Sequence, residues 1–307
     1  MLLSVYEYVY YAFLHPMWKW MLRRLTGKCE LLRITLSVPR GAQRTCNIES
    51  SLKHSKIHTL KGLLAEDNVN IDDAVANIMR IKSVSPEIHP QFGPTLRMCL
   101  CQICGYRQLI SEVESTRRIQ YCSENSEHEA LLSQLWSKLK PDTQLTARIS
   151  KQWTEIGFQG DDPMTDFRGM GLLGLQNLVF FATVYTDAAR QLLSRSEHPQ
   201  NGYSFAIVGI NITGLAHQLL NSGHLKTHLY NVVHGQPRLE HFHQVYCYLL
   251  YEFDKFWFSQ ETIDIMQFNH VKQKFQKRIV QRLKDKHATL HGALTVGPSN
   301  NAASVPL

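Results

Sequence analysis

Residues 157–175 read GFQGDDPMTDFRGMGLLGL, with five glycines, three aspartates, two phenylalanines and one arginine, Arg168. Within it, GMGLLG (169–174) has the glycine spacing that cradles dinucleotide phosphates, which would make the chain an α/β protein. That reading needs a buried strand before the glycines and a helix after them. The helix is predicted: LLGLQNLVFFATVY (172–185) is apolar with helical spacing. The strand is not. GDDPMTDFR (160–168) carries Pro163 and three aspartates, which neither form a central strand nor favour a pyrophosphate. No G-K-[S/T] follows, so a P-loop fails as well. The stretch reads as a loop that opens into an apolar helix.

Outward from this loop the periodicity is helical. TLRMCLCQICGYRQLISEVESTRR (95–118) runs without an internal proline. HEALLSQLWSKL (128–139) spaces Leu131, Leu132, Leu135, Trp136 and Leu139 by three and four, and FHQVYCYLLYEFDKFWF (242–258) puts Tyr246, Leu249, Leu250, Phe253 and Trp257 on one face. YSFAIVGINI (203–212) is the best strand candidate, although it continues smoothly into TGLAHQLL. The expectation is an all-α fold. SVPRGAQRTCN (37–47) is the clearest linker and SVSPEIHPQFGP (83–94) a second break. We divide the chain into a hydrophobic segment (1–36), a helical domain (37–291) and a disordered tail (292–307) of small and polar residues.

With 44% hydrophobic and 19% charged residues, the 307-residue chain is globular rather than disordered. Its net charge of +7 favours acidic partners or anionic membrane surfaces. Seven irregularly spaced cysteines argue against a disulfide framework and for a reducing compartment. The first 28 residues are rich in aromatic and aliphatic side chains and turn basic at Lys19, Arg23, Arg24 and Lys28. A basic start and a small-residue cleavage site, the marks of a secretory signal, are missing. Glu7, His15, Pro16 and Lys19 interrupt the apolar run a spanning helix needs. Interfacial tyrosines and tryptophans before positive charge favour a segment that contacts a membrane, ahead of a single span or a helix folded onto the domain. The sequon Asn211-Ile212-Thr213 would go unused in a cytosolic domain.

Other motifs have plain structural readings. Cys99, Cys101 and Cys104 include a C-x-x-C pair, but no second pair completes a zinc site, and buried helix cysteines are favoured. His241 and His243 are two apart on a helix and so are poor co-ligands for a metal. NHVKQKFQKRIVQRLKDKH (269–287) is a basic helix with the apolar stripe Val271, Phe275, Ile279 and Leu283. A solvated face explains it first, and a patch for anionic lipid or an acidic protein second. Nucleic acid is not expected, because no binding motif accompanies the charge.

In the loop itself, Asp166 or Thr165 is expected to cap the following helix, and Trp153, Ile156 and Phe158 to pin the loop to the core. Arg168 keeps two readings open: a structural arginine bridging Asp161, Asp162 or Asp166, or a guanidinium held ready for a partner's phosphate.

Trp153, three residues, G-F-Q-G (157–160) and then D-P-M-T-D-F-R-G-M-G (162–171) together resemble the signature of the ELMO domain. RISKQW before it, GYSFAIVGINIT and YEFDKFWF after it, and LTGKCEL and GAQRT near the amino terminus extend the similarity over nearly the whole chain. The likeness is to the compact ELMO domain-containing proteins, not to the large multidomain scaffolds. It implies an all-helical domain, its signature region at about 125–285, that activates GTP hydrolysis by Arf and Arf-like small GTPases. Arg168 would be the arginine supplied in trans. Trp153, Gly157, Phe158, Gln159, Asp162, Pro163, Asp166 and Gly169 would support the loop or meet the GTPase. Such a protein turns over no substrate of its own and needs no cofactor or metal. Its partner is the GTP-bound GTPase, with an anionic membrane surface second. Its place would be the cytosolic face of the endoplasmic reticulum, Golgi, lipid droplet or mitochondrion. The alternative is a non-catalytic module that binds GTP-loaded GTPases or a scaffold partner.

Overall fold

The computed structural model describes residues 14–62, 69–260 and 265–291. The expected tail and the first thirteen residues of the hydrophobic segment lie outside them. The described chain is all-helical, with no strand among the described residues. Its helices are α1 (His15–Thr26), α2 (Glu30–Ser37), α3 (Ala42–Lys53), α4 (His58–Gly62), α5 (Ile71–Lys82), α6 (Phe92–Arg118), α7 (Ser126–Leu139), α8 (Gly171–Val184), α9 (Thr186–Ser196), α10 (Phe205–Asn221), α11 (Lys226–Val232), α12 (Leu239–Phe258) and α13 (Phe268–Leu283). Two 3-10 turns, η1 (Lys151–Ile156) and η2 (Pro163–Arg168), lie between α7 and α8.

The helices form two compact units. Of the described residues, the first comprises 14–62, 69–108, 226–238 and 285–289. Ile48, Leu52, Ile78, Leu96 and Leu229 lie in its core. Buried Gln102 pins it, donating to the carbonyls of Tyr230 (3.0 Å) and Val233 (2.7 Å) and accepting from the Thr45 hydroxyl (2.6 Å). The expected linker at 37–47 is mostly helical: α3 begins at Ala42, whose N–H donates to Asn231 Oδ1 at 2.8 Å. A side chain distant in sequence thus supplies the acceptor that Gly41 at the N-cap, having no side chain, does not. On α1, Met17, Trp18, Trp20 and Leu25 are exposed. Among the described residues no helix is long and apolar enough to cross a membrane.

Of the described residues, the second unit comprises 109–225, 239–260, 265–284 and 290–291. Its axis is α8, which is apolar on all sides and packs against α7, α9, α10 and α12; a helix without a polar face belongs in the middle of a core. The strand candidate at 203–212 is helical and forms the first half of α10. A short, uniformly apolar run has no period that separates a buried strand from a buried helix. Gly209 lets α10 close on its neighbours, since a β-carbon there would sit 2.5 Å from Leu178 Cδ2. Asp254, only 1% exposed, is held by the Tyr203 hydroxyl (2.8 Å) and Arg195 Nε (3.3 Å). His243 donates through Nδ1 to Asn177 Oδ1 (2.6 Å), and Asn177 in turn donates to Thr213 (3.0 Å).

Candidate functional site

The loop from Arg148 to Met170 lies wholly in the second unit. It rests on a file of aromatic rings. Trp136 meets Trp153 edge-on (5.5 Å), Trp153 meets Phe158 (5.8 Å), Phe158 meets Phe167 (5.6 Å), and Phe167 leans on Tyr121 (5.3 Å). Edge-to-face pairs of this kind add to what burial alone supplies. Trp153 is fully enclosed, with its indole N–H satisfied by the Arg148 carbonyl at 2.8 Å. Gly157 takes φ 83° and lies against the start of α10; a β-carbon there would be 2.2 Å from the Phe205 nitrogen. Only glycine fits that approach.

Two ion-pair braces hold the ends of the loop. Arg148 reaches Glu129 through Nε and Asp162 through Nη1, each at 2.8 Å, and lies over the Tyr121 ring. Asp162 also accepts from the Met164 N–H (2.9 Å) and so caps η2, with Pro163 at its first position. Burial pushes the Asp162 carboxyl upward, but the Met164 N–H and the Arg148 guanidinium outweigh it and hold it below its ordinary value. At the far end, Arg117 donates to the Gly169 carbonyl (3.3 Å) while held by Glu114 (2.8 Å), which His217 also contacts (2.9 Å). Gly171, at φ 53°, packs onto the end of α6, and the Leu172 N–H donates to the Ile119 carbonyl at 2.8 Å.

This packing settles the glycine motif. The carbonyls of Arg117 and Ile119 press on the start of α8, where a pyrophosphate would have to sit, and a 3-10 turn stands where a strand is needed. The capping expectation changes too. Neither Thr165 nor Asp166 caps α8, whose first turn has no side-chain cap. Asp166 instead accepts from the Gln159 N–H at 3.0 Å and ties the two halves of the loop together. Burial raises its carboxyl more than that N–H and the charge of Arg168 lower it.

Arg168 ends η2 beside buried Phe167 and is exposed. Its Nε donates to the Thr165 carbonyl at 2.8 Å, which fixes the root of the guanidinium. Of the three candidate carboxylates, Asp162 is engaged by Arg148 and Asp166 by the Gln159 N–H, and Asp161 forms no ion pair with Arg168. Among the described residues Arg168 forms no ion pair, so the outer edge of its planar fork faces solvent. Gln159, Met164, Thr165 and Gly169 are exposed around it, while Trp153, Phe158 and Pro163 are buried beneath. Gly157, Asp162 and Asp166 shape the loop from within. The arrangement can offer a fixed cationic fork to an anion brought from outside.

Sequence reasoning missed Arg148, Glu129 and the Glu114–Arg117–His217 cluster. The spacing of Glu114 and Arg117 on a helix was a readable signal for one pair; nothing local joins Arg148 to Glu129 or His217 to Glu114. No group of three or more His, Cys, Asp or Glu placed to hold a metal occurs among the described residues.

Residues 111–272, which contain the whole site, match the model of the ELMO/CED-12 family. The chain is 53% identical to ELMO domain-containing protein 2 of Mus musculus, covering 94% of this chain and 99% of the relative. It is 49% identical to ELMO domain-containing protein 1 of Pongo abelii, covering 98% of each, and 36% identical to ELMO domain-containing protein B of Dictyostelium discoideum, covering 88% of this chain and 95% of the relative. No solved structure matches the chain. With the braced arginine loop inside the matched region and the likeness running from end to end, the chain belongs to the ELMO/CED-12 family.

Proposed function

We propose that the protein is a GTPase-activating protein for Arf or Arf-like small GTPases, acting through Arg168 inserted in trans. The observation that carries this is the state of Arg168: exposed, anchored at Nε by the Thr165 carbonyl, and without a carboxylate partner among the described residues. A structural arginine would be expected to pair with a nearby aspartate, and here Asp162 is taken by Arg148 and Asp166 by the Gln159 N–H.

In this mechanism the GTPase supplies nucleotide, magnesium and attacking water. Arg168 approaches the phosphoryl group as charge shifts onto the leaving oxygens, and the fork donates two N–H groups to that charge. An arginine supplied this way is worth about 10³–10⁵ in rate, roughly 4–7 kcal/mol of barrier. The aromatic file and the two braces keep the loop from moving when the partner docks, so little ordering cost falls on the transition state. The exposed Met17, Trp18, Trp20 and Leu25 of α1, with Arg23 and Arg24, support contact with the cytosolic face of an intracellular membrane.

The test is single-turnover GTP hydrolysis by a panel of Arf-family GTPases with wild type, Arg168→Lys and Arg168→Ala. Loss of acceleration in variants that melt like wild type is the expected result. Binding of the GTP form with no acceleration by wild type would leave a non-catalytic interaction module instead.

A further inference from the structure

The Arg168 loop forms one wall of a groove of about 350 Å³. Asp166 and Gly169, which flank Arg168, line it together with Ile210 and Gly214 of α10 and Lys272 and Gln276 of α13. Bare backbone is accessible at two points. A β-carbon at Gly169 would meet nothing, and one at Gly214 only the tip of Met170, 3.5 Å away. Lys272 is fixed by Asn211 Oδ1 at 3.0 Å and lies over the Phe268 ring.

From Gln276 the surface continues along α13 into a second depression lined by Lys277, Gln281 and Lys284. Helix α13 carries five basic residues and no acidic one. Lys274, Lys277 and Lys284 are exposed and join no ion pair among the described residues. The apolar stripe Val271, Phe275, Ile279 and Leu283 is buried, and no large hydrophobic residue on the helix is exposed. A helix that inserts into a bilayer needs apolar side chains on its free face; this face offers ammonium and amide groups instead, which suit carboxylates and peptide backbone.

We propose that this groove and the outward face of α13 form the second half of the GTPase interface, receiving an acidic surface segment of the GTP-loaded partner while Arg168 reaches its nucleotide. The proposal rests on the reading of Arg168 as a finger, because a partner covering Arg168 must also cover Asp166 and Gly169 and so the groove they line. Charge complementarity selects the occupant. Uncompensated lysines steer an acidic surface into place and speed its association, and Gly169 and Gly214, without side chains, leave room for its backbone.

The experiment measures equilibrium and stopped-flow binding of the full chain to Arf-family GTPases loaded with a non-hydrolysable GTP analogue. It compares wild type, Lys277→Glu/Lys284→Glu and Arg168→Lys, and adds vesicles of phosphatidylserine and phosphatidylcholine as a separate probe. The charge reversals lie on exposed side chains and leave the core untouched. They are expected to weaken GTPase binding about tenfold or more, mostly through slower association, and to flatten its salt dependence. Arg168→Lys should bind nearly as wild type, because the finger acts mainly on the transition state. GTPase binding unchanged by the reversals, loss of vesicle binding alone, or no GTPase bound by wild type would each overturn the proposal. If the reversals weaken binding as expected while wild type accelerates hydrolysis by none of the GTPases, the docking face stands and the finger reading falls.

Discussion

Gly169 and Gly171 lie two residues apart and should respond in opposite ways to alanine. Gly171 has φ 53°, and its β-carbon would fall 2.2 Å from the Arg117 carbonyl oxygen and 2.4 Å from that of Ile119. The left-handed backbone alone costs an alanine about 1–2 kcal/mol. Relieving the overlap means separating the start of α8 from the end of α6, which breaks the Leu172–Ile119 hydrogen bond at a cost of about 1–3 kcal/mol. Gly171→Ala is therefore expected to destabilise by about 3 kcal/mol. Gly169 has φ −83° and ψ −37°, with open space where a methyl would go. Gly169→Ala should be neutral or stabilising by about 0.4–1 kcal/mol, through the unfolded chain. Urea denaturation followed by tryptophan fluorescence, with hydrogen exchange at the Leu172 amide, reads both. In the GTPase assay the pattern inverts for Gly169→Ala: a stable protein with reduced acceleration, because the methyl stands beside Arg168 on the face the partner must approach. A Gly171→Ala variant within about 0.5 kcal/mol of wild type, or a Gly169→Ala variant destabilised by more than about 1 kcal/mol, would refute the packing argument.

Arg148→Ala should cost about 2 kcal/mol, less than a fully buried pair because solvent reaches both Glu129 and Asp162, and should lower GTPase acceleration by freeing η2; urea titration and single-turnover rates check this. Arg148→Lys should not restore either, since one ammonium does not span two carboxylates as the fork does. Burial lowers the His243 imidazole from 6.5 to about 4, so the fold favours its neutral form. The associated stability is present above pH 6.5, falls as pH drops towards 4, and totals about 3 kcal/mol; the difference between wild type and His243→Asn in pH-dependent melting should show this slope. Tyr203→Phe removes a donor from Asp254 in the core and should destabilise by about 1–3 kcal/mol in chemical denaturation.

The sequence carried the helices wherever one face differs from the other. HEALLSQLWSKL and the 242–258 run are legible because their buried residues recur at helical spacing. It left a strand candidate at 203–212, an apolar run that forms the first half of α10, and read a linker at 42–47, where the cap on α3 comes from Asn231. In the loop, Trp153, Ile156 and Phe158 were readable as anchors from residue type, and all three are buried. Gly157 and Gly171 were not separable from Gly160 and Gly169, since positive φ and a crowded β-carbon arise from distant backbone. The state of Arg168 was likewise undecidable from spacing. Three aspartates within seven residues suggested an ion pair, yet Arg148, well upstream, claims Asp162, and Asp166 accepts from the Gln159 N–H.

The most direct measurement is binding of the full chain to an Arf-family GTPase loaded with GDP and aluminium fluoride, a planar mimic of the transferring phosphoryl group, compared with the same GTPase holding a non-hydrolysable GTP analogue. A finger binds the transition state more tightly than the ground state. Wild type should prefer the fluoroaluminate complex, and Arg168→Ala should bind both forms alike while melting as wild type does. No preference in wild type, or one that survives Arg168→Ala, would contradict the claim that Arg168 stabilises the transferring phosphate.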